Sequence, residues 1–243
     1  MPVYLLSDEL IFPRPEEAEE NGLLAVGGDL SLKRLLLAYR LGIFPWYSEE
    51  SPILWWSPDP RLILEPENLK ISKSLNKVIK KGIFSITMDQ AFEAVIRGCA
   101  QAQRPDARGT WIVDDMISAY CRLHQAGFAH SVESWFEGKL VGGLYGVSLG
   151  KVFFGESMFY QMKNASKVAF VYLVRLLQIW GFDMIDCQIT TSHLINFGAH
   201  EIPRSQFLKR LSRALQYETR RGHWSFPEEF SHLTFKSASM SLT

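Results

Sequence analysis

The 243-residue chain balances 26 lysine and arginine residues against 26 aspartate and glutamate residues, so its formal net charge is zero. This balance excludes a protein that is basic over its whole surface, as many nucleic-acid-binding proteins are. Hydrophobic residues make up 47% of the chain and charged residues 21%, which is typical of a folded globular protein and not of a disordered or coiled-coil one. The length predicts one large domain or two unequal ones.

Metal-binding, secretion and membrane signals are not found in the sequence. Three cysteines without CxxC spacing indicate neither a disulfide framework nor a zinc site, and the six histidines form no metal-binding motif, so we expect no bound metal. Asp8 and Glu9 stand where a secretion signal would need a basic start and an apolar run. No apolar window reaches the roughly 18 residues of a membrane span. These features predict a cytoplasmic protein without a membrane segment.

The charges are distributed unevenly along the chain. Residues 1–30 hold seven acidic side chains against the single cation of Arg14, whereas basic runs cover residues 68–81 and 204–223. In the first basic run Lys73, Lys77 and Lys81 are spaced i, i+4, i+8, which places three ammonium groups on one face of a helix. Such a face either follows a phosphate backbone or is simply solvated.

In chain order, the first predicted element is a helix over residues 32–41, with Ser31 as N-cap and Gly42 after its C-terminus. Residues 43–60 follow, where proline is too frequent for a helix and the pattern too irregular for a strand, so we expect an ordered aromatic loop region. Pro58 and Pro60 indicate the end of a small N-terminal domain, residues 1–62.

A second domain is predicted over residues 63–235, followed by a flexible tail over 236–243. Its first part contains helices over 72–81, from Asp89 to residue 100 and from Asp114 to residue 127, with both aspartates as N-caps. Alternation then predicts an antiparallel meander of three strands. A long helix, another strand and two short helices complete it. The strands lie at 130–136, 140–149, 152–159 and 182–189, and the helices at 164–180, near 193–197 and at 205–216.

This order of elements resembles the acyltransferase core of the GNAT type. The expected fold class is α+β, with a small N-terminal α/β domain and a GNAT-like C-terminal domain that contains a mixed sheet. Members that use coenzyme A carry a glycine-rich loop between the last meander strand and the helix, where N–H groups hold the pyrophosphate. Residues 156–164 contain no glycine here. We therefore expect neither coenzyme A nor another cofactor.

Asp186 and Gln188 are the first candidates for chemistry. On a strand their side chains point to one face, with Cys187 on the other. A carboxylate and a carboxamide in an otherwise apolar strand must be hydrogen-bonded or functional, so they form either a buried polar pair bonded to neighbouring loops or a reaction centre. Glu156 poses the same question at the end of another apolar strand, where an isolated carboxylate needs a cationic partner.

Eight sequence blocks, in order over about residues 12–203, together resemble the leucyl/phenylalanyl-tRNA protein transferase family. Several blocks in one order are far more specific than any one of them. The blocks are GGDL at 27–30, GIFPW at 42–46, WWSPDPR at 55–61, GTWI at 109–112, LVGGLYG at 140–146, FGESMF at 154–159, NASK at 164–167 and IDCQ at 185–188.

The resemblance implies an enzyme that moves Leu, Phe or Met from aminoacyl-tRNA to the α-amine of a protein beginning with Arg or Lys, which marks that protein for N-end rule degradation. By matched motif, Trp46 and Trp111 would stack on the 3′-terminal adenosine. Glu156 would bind the cationic N-terminal residue of the acceptor. An apolar pocket for the donor side chain would be lined by Leu144, Phe153, Met158, Phe170, Leu173, Leu177 and Ile185.

The substrates set the chemistry that the resemblance implies. An aminoacyl ester is already activated, so the enzyme mainly has to orient a neutral amine against the carbonyl. We expect Gln188 to accept a hydrogen bond from that amine while Asp186 holds the side-chain NH2 of Gln188. Proton transfer through the tRNA ribose hydroxyl is the alternative.

In the same frame Lys73, Lys77 and Lys81 become contacts to the tRNA backbone, which position the tRNA without reading its sequence. We expect a monomer. Two competing functions stay open at this stage: an N-acetyltransferase that uses coenzyme A, and a non-catalytic adaptor that holds aminoacyl-tRNA or an N-terminal peptide.

Overall fold

The computed structural model describes residues 3–102, 112–228 and 230, and within them the chain is an α+β protein with two sheets. Trp111 and the predicted tail over 236–243 lie outside the described residues. The smaller sheet has the order β1-β2-β4-β3, with β1 parallel to β2 and the other pairs antiparallel. Its strands are β1 (Tyr4–Leu6), β2 (Leu23–Gly27), β3 (Phe44–Pro45) and β4 (Leu54–Trp56).

The larger sheet has seven strands in the order β11-β5-β10-β9-β8-β7-β6. The predicted meander is confirmed as β7, β8 and β9, and β10 pairs parallel with β9 and antiparallel with β5, so the sheet is mixed. The strands are β5 (Arg61–Leu64), β6 (Ser85–Met88), β7 (Ala129–Phe136), β8 (Lys139–Leu149), β9 (Val152–Tyr160), β10 (Met184–Gln188) and β11 (His200–Ile202).

Seven α-helices connect and cover these strands in the described part of the chain. They are α1 (Leu32–Arg40), α2 (Lys73–Lys81), α3 (Phe92–Gln101), α4 (Asp114–Gln125), α5 (Ala165–Ile179), α6 (Ser192–Ile195) and α7 (Arg204–Ala214). None of them is long and apolar enough to cross a membrane. The predicted N-cap of α1 is confirmed, because the Ser31 hydroxyl accepts the backbone N–H of Arg34 at 3.3 Å.

The prediction of a loop over residues 43–60 is wrong in part, because this segment contains β3 and β4. Pro45 ends β3, which lies at the edge of its sheet, and an edge position tolerates a residue that cannot donate to the ladder. Trp55 is fully buried and donates its indole N–H to the carbonyl of Gly27 at 2.9 Å. Strands as short as β3 and β4 contain too few residues for an alternation of apolar and polar side chains to be detected in the sequence.

The two predicted aspartate caps are also wrong. The N-cap of α3 is Ala91, and Asp89 lies outside the helix with φ of +55°, where its carboxylate accepts the backbone N–H of Ser131 at 2.8 Å. The N-cap of α4 is Val113, so Asp114 is the first helical residue. An acidic side chain there still interacts favourably with the positive end of the helix dipole.

The large sheet is covered on both faces, and two hydrophobic clusters lie against it. Neighbouring residues of a strand point to opposite faces, so Phe153 belongs to the cluster around α5 and Phe154 to the cluster that contains α1, α3 and α4. The second of these clusters also takes in the core of the four-stranded sheet, including Trp55. Residues of α1 and β9 are therefore packed in one continuous core.

Candidate active site

A cavity of about 460 Å³ is bounded by the ends of β9 and β10, by α5 and by the segment around Trp46. Most of its wall is apolar, and its polar residues include Glu156 and Gln188. A wall of this kind suits an apolar ligand group that is fixed by a few polar contacts. Six side chains predicted for the donor pocket line it: Leu144, Phe153, Met158, Phe170, Leu173 and Ile185.

Leu177, the seventh side chain predicted for the pocket, does not line the cavity. It is fully buried in the core around α5, one helical turn beyond Leu173. The helical spacing placed it correctly on the buried face, but α5 runs on past the end of the cavity.

Trp46 lies at the mouth of this cavity and is 39% exposed, which is unusual for so large an apolar side chain. Trp56 holds the segment from behind: its indole N–H donates to the Trp46 carbonyl at 2.7 Å, and the two ring centroids are 5.6 Å apart. These two contacts with Trp56 hold the partly exposed Trp46 in place. The second predicted stacking residue, Trp111, is outside the described residues.

Asp186 does not line the cavity, because a guanidinium group holds it from the other side. Arg61 donates from Nε to Oδ1 at 2.8 Å and from Nη2 to Oδ2 at 2.7 Å, and both side chains are buried. The guanidinium also lies over the rings of Phe44 and Phe207, at 4.9 and 4.6 Å from their centroids. The Asp186 carboxylate is therefore a fixed, neutralised anion.

The predicted hydrogen bond from the Gln188 side chain to Asp186 is wrong. The Gln188 side-chain NH2 donates to Glu156 Oε1 at 2.8 Å, and Asp186 Oδ1 accepts the backbone N–H of Gln188 at 2.9 Å instead. Gln188 has φ of +62°, and the pairing with β5 shifts between Asp186 and Gln188, so the regular strand alternation ends there. As a result Cys187 and Gln188 both line the cavity.

Glu156 has no cationic partner in the described structure, contrary to the expectation for an isolated carboxylate. Its partners are two buried tyrosine hydroxyls and the Gln188 amide: Tyr39 lies 2.8 Å from Oε1 and Tyr120 lies 3.0 Å from Oε2. Burial raises the pKa of Glu156 to about 7, although these three hydrogen bonds act in the opposite direction. Burial and the nearby carboxylate raise the pKa of both tyrosines, so each hydroxyl keeps its proton.

The three oxygen groups form a closed triangle, because the hydroxyls of Tyr39 and Tyr120 are themselves 2.5 Å apart. Each of the three contacts needs one proton. The hydroxyls of Tyr39 and Tyr120 supply two of these protons. All three contacts are therefore hydrogen bonds when the Glu156 carboxyl is protonated and supplies the third proton. The geometry thus agrees with the raised pKa of Glu156, because a protonated carboxyl completes the triangle.

Cys187 is not a nucleophile, although it lines the cavity. Burial, with a smaller effect of the Asp186 charge, raises the pKa of its thiol far above its usual range, and the reactive form of cysteine is the thiolate. No group of three or more His, Cys, Asp or Glu side chains within residues 3–102, 112–228 and 230 is placed to hold a metal ion.

The two basic runs have different surroundings. Lys73, Lys77 and Lys81 are exposed on α2, whose opposite face is buried through Leu75 and Ile79. The run over 204–223 mostly supports the fold: Arg204 donates to the Ser57 carbonyl, Arg210 pairs with Glu65 and Asp183, and Arg221 donates to the Ala126 carbonyl.

Sequence reasoning missed Arg61, Tyr39 and Tyr120. A signal existed for Arg61, which begins the apolar strand RLIL and is 1% exposed, since a lone cation in such a strand needs a buried anion. Tyr39 and Tyr120 lie on the buried faces of their helices, where a tyrosine usually only fills the core. Nothing in the sequence brings those helices together at Glu156.

Comparison with known proteins adds the family. The family model described as Leucyl/phenylalanyl-tRNA protein transferase matches residues 63–212, and the model of the N-terminal domain of the same family matches residues 28–59. The chain is 63% identical over 212 residues to the Leucyl/phenylalanyl-tRNA--protein transferase of Syntrophobacter fumaroxidans, covering 87% of this chain and 91% of the relative. It is 56% identical over 238 residues to that of Oleidesulfovibrio alaskensis, covering 96% of each. Among solved structures, L-PGS from Bacillus licheniformis aligns with a TM-score of 0.39 and 11% identity over 69% of this chain and 53% of that one.

Proposed function

The chain belongs to the leucyl/phenylalanyl-tRNA–protein transferase family and is an aminoacyltransferase; from that premise we propose that it transfers Leu, Phe or Met from aminoacyl-tRNA to proteins that begin with Arg or Lys. The observation that carries this proposal is the cavity itself. Its wall combines apolar side chains, the partly exposed indole of Trp46 and the polar pair Glu156 and Gln188. The product is a new peptide bond that marks the acceptor for N-end rule degradation in the cytoplasm.

The aminoacyl-tRNA enters with its 3′-terminal adenosine stacked on Trp46, and Trp111 is the proposed second stacking residue. Stacking contributes roughly 1–3 kcal/mol per base. The donor side chain fills the chamber beside Leu144, Met158 and Leu173, which line the cavity. A linear or branched apolar side chain gives up only its contact with water when it enters the chamber, whereas a charged side chain would be buried there without a partner. The proposed donors share this apolar character.

Gln188 is the residue proposed to meet the attacking amine. Its NH2 is occupied by Glu156 at 2.8 Å, so its carbonyl oxygen is left to accept a hydrogen bond from the amine. The amine nitrogen then attacks the ester carbonyl, the bond from carbonyl carbon to ribose oxygen breaks, and that oxygen takes up a proton as it leaves. The attacking nitrogen loses a proton, which reaches the leaving oxygen through the neighbouring ribose hydroxyl, while the Gln188 carbonyl only orients the amine. Asp186 acts as a positioning residue, because it fixes the Gln188 backbone.

Glu156 is the proposed anion for the cationic acceptor. The carboxylate lines the cavity but is only 8% exposed, and the described structure offers it no cation. An arriving ammonium or guanidinium group favours its ionised form, and in a low-dielectric wall this contact is stronger than in water. An acceptor with a neutral or acidic first residue gains no such contact. The preference for Arg and Lys follows from this difference.

The remaining surfaces are assigned on the same premise. Lys73, Lys77 and Lys81 form the proposed contact to the tRNA backbone, supported by their exposure on one helix. We place residues 63–235 in a GNAT-like domain and residues 1–62 in a small N-terminal one. The support is that a meander leads into α5 and a parallel strand, β10, returns beside β9. We propose a monomer.

The decisive experiment is transfer from charged Leu-, Phe- and Met-tRNA to peptides beginning with Arg, Lys, Asp or Glu. We expect peptide bonds with the first two peptides and none with the acidic ones. A matched control supplies acetyl-coenzyme A in place of charged tRNA. Acetylation of the peptides would identify an N-acetyltransferase, and binding of both ligands without release of deacylated tRNA would identify an adaptor; either result contradicts the proposal.

A further inference from the structure

A C-terminal strap, defined as residues 219–228 together with Phe230, packs against the large sheet beyond the residues that the family model matches. Its central residue is Trp224, which is 2% exposed and lies in the core around α5. The backbone N–H of Trp224 donates to Asp89 at 2.7 Å, and its indole N–H donates to the Arg220 carbonyl at 3.1 Å. The indole is thus fixed through both its backbone and its ring.

Asp89 is the anchor of this arrangement. Its carboxylate also accepts the backbone N–H of Ser131 at 2.8 Å and lies 2.8 Å from Nδ1 of His130. The His130 ring is stacked on the Trp224 indole, with centroids 3.7 Å apart and an angle of 9° between the planes. Burial lowers the pKa of His130, which favours the neutral ring beneath the Trp224 indole.

A second set of contacts fixes the register of the strap. The backbone N–H of Gly222 donates to the Gly127 carbonyl at 3.2 Å, and Arg221 donates to the Ala126 carbonyl at 3.0 Å. The chains approach so closely that a Cβ atom at Gly127, which has φ of +77°, would lie 2.4 Å from the Gly222 nitrogen. The strap therefore has one position on the sheet.

The strap contacts a side chain that lines the cavity, and no strap residue lines the cavity itself. The indole of Trp224 lies 6.2 Å from the ring of Phe153, a cavity-lining residue, measured between centroids. On the β8 side the Phe153 ring lies over Gly146, where a Cβ atom would come within 2.5 Å of it. Further along the strap, Phe226 packs edge-on against Tyr172 of α5 at 5.7 Å. One edge of the cavity and its long helix are both backed by strap residues.

We propose that the strap sets the depth of the donor side-chain cavity, with Trp224 as a specificity-determining positioning residue that holds Phe153 forward. This inference rests on the proposed function of the cavity as the donor pocket. Interiors are close-packed, so a shorter side chain at position 224 lets the Phe153 ring move back and lengthens the chamber. Hydrophobic pockets discriminate by roughly 10- to 200-fold for each methylene-sized difference. A deeper chamber then favours Phe over Leu.

The test measures kcat/KM for Phe-tRNA and for Leu-tRNA with one Arg-initiated peptide in Trp224→Phe and Trp224→Leu. We expect the ratio of kcat/KM for Phe-tRNA to kcat/KM for Leu-tRNA to rise about tenfold in Trp224→Phe and further in Trp224→Leu. A ratio within one enzyme is independent of the active fraction, so partial unfolding does not change it. If Trp224→Leu fails to fold, the milder Trp224→Phe carries the test alone.

Trp135→Phe is the matched control, because Trp135 also donates its indole N–H, to Thr87 at 2.8 Å, and does not line the cavity. Its ratio should stay at the wild-type value. A wild-type enzyme that transfers amino acids, together with an unchanged ratio in folded Trp224→Phe, overturns the role of the strap alone. A wild-type enzyme that transfers neither amino acid overturns the proposed function as well.

Discussion

The Arg61 guanidinium donates hydrogen bonds to both carboxylate oxygens of Asp186, and Asp186 also accepts the backbone N–H of Gln188. The three residues form a line from the buried cation to the cavity wall, in which only Gln188 faces the proposed substrates. Gln188 keeps its left-handed backbone conformation at φ of +62°, which an L side chain rarely adopts without support. The ion pair therefore fixes the Asp186 carboxylate that accepts the Gln188 backbone N–H, and we expect it to affect the proposed reaction only through Gln188.

Replacing Arg61 should destabilise the fold and slow transfer together. Arg61→Met leaves the Asp186 carboxylate buried without its cation, and breaking such a pair costs about 3–5 kcal/mol in the free energy of unfolding. Urea denaturation measures this loss. A loss below about 1 kcal/mol would show that the carboxylate is neutralised in another way.

The double variant Arg61→Met with Asp186→Leu separates stability from catalysis. Replacement of a buried ion pair by apolar side chains is often neutral, so we expect it to recover most of the stability that Arg61→Met loses. Transfer should stay slow, since Asp186→Leu removes the acceptor of the Gln188 backbone N–H. Full recovery of both properties would contradict a positioning role for Asp186.

Glu156 predicts a specific dependence of stability on pH. Its pKa is about 7 in the folded protein against an ordinary value of 4.5, so the folded state binds more protons than the unfolded state between these values. The free energy of unfolding should therefore fall as pH rises from about 4.5 to 7, by about 3 kcal/mol, and stay low above it. Glu156→Gln should remove that fall. The check is the difference between the two proteins in urea denaturation at pH 5 and pH 8, and equal pH dependence in both would refute it.

Gln188→Ala should reduce kcat for transfer while tRNA binding stays close to the wild-type value. The loss of an orienting group that acts at the reacting amine typically costs about a hundredfold in rate. Single-turnover transfer from pre-bound charged tRNA isolates the chemical step. Gln178→Ala is the matched control, since Gln178 lies on α5 outside the cavity and its side chain accepts a hydrogen bond from Arg175, which does not line the cavity either. Equal rates in the two variants would remove Gln188 from the mechanism.

The lysine face predicts a change in salt dependence. Changing Lys73, Lys77 and Lys81 to Ala together should weaken tRNA binding and reduce the slope of log affinity against log salt by about three, one for each lost phosphate contact. Filter binding over a salt series gives the slope. The control changes the exposed residues Lys33, Lys139 and Lys209, which removes the same charge from scattered positions. If both triple variants shift the slope alike, α2 is not a specific contact.

Regular elements with strong periodicity were predictable from the sequence. The meander has long alternating strands, and α5 has an apolar face that runs for 15 residues, so both could be placed within a few residues. Six of the seven predicted pocket residues line the cavity because they belong to these elements. The strands β3 and β11 have two and three residues, too few for alternation to show.

The contacts of the site could not be predicted, because they depend on register and on distant partners. Gln188 was expected to follow the strand pattern, but its positive φ turns the amide toward Glu156. Arg61 and Asp186 are 125 positions apart, and no local pattern pairs them. Sequence reasoning singled out Glu156 and Gln188, which do line the cavity, but the hydrogen bond that it predicted between the Gln188 side chain and Asp186 is wrong.

The position of β5 between β10 and β11 determines when the site can form during synthesis. The strands β6 to β9 are consecutive neighbours and can pair as the ribosome releases them. In contrast, β5 leaves the ribosome early and has no neighbour in the sheet until β10 follows, about 120 residues later. Tyr39 and its hydrogen-bond partner Glu156 are likewise 117 positions apart in the chain. Nascent chains that end before residue 188 therefore lack Gln188 and the pairing of β5 with β10, so the proposed site cannot form until about three quarters of the chain has been made.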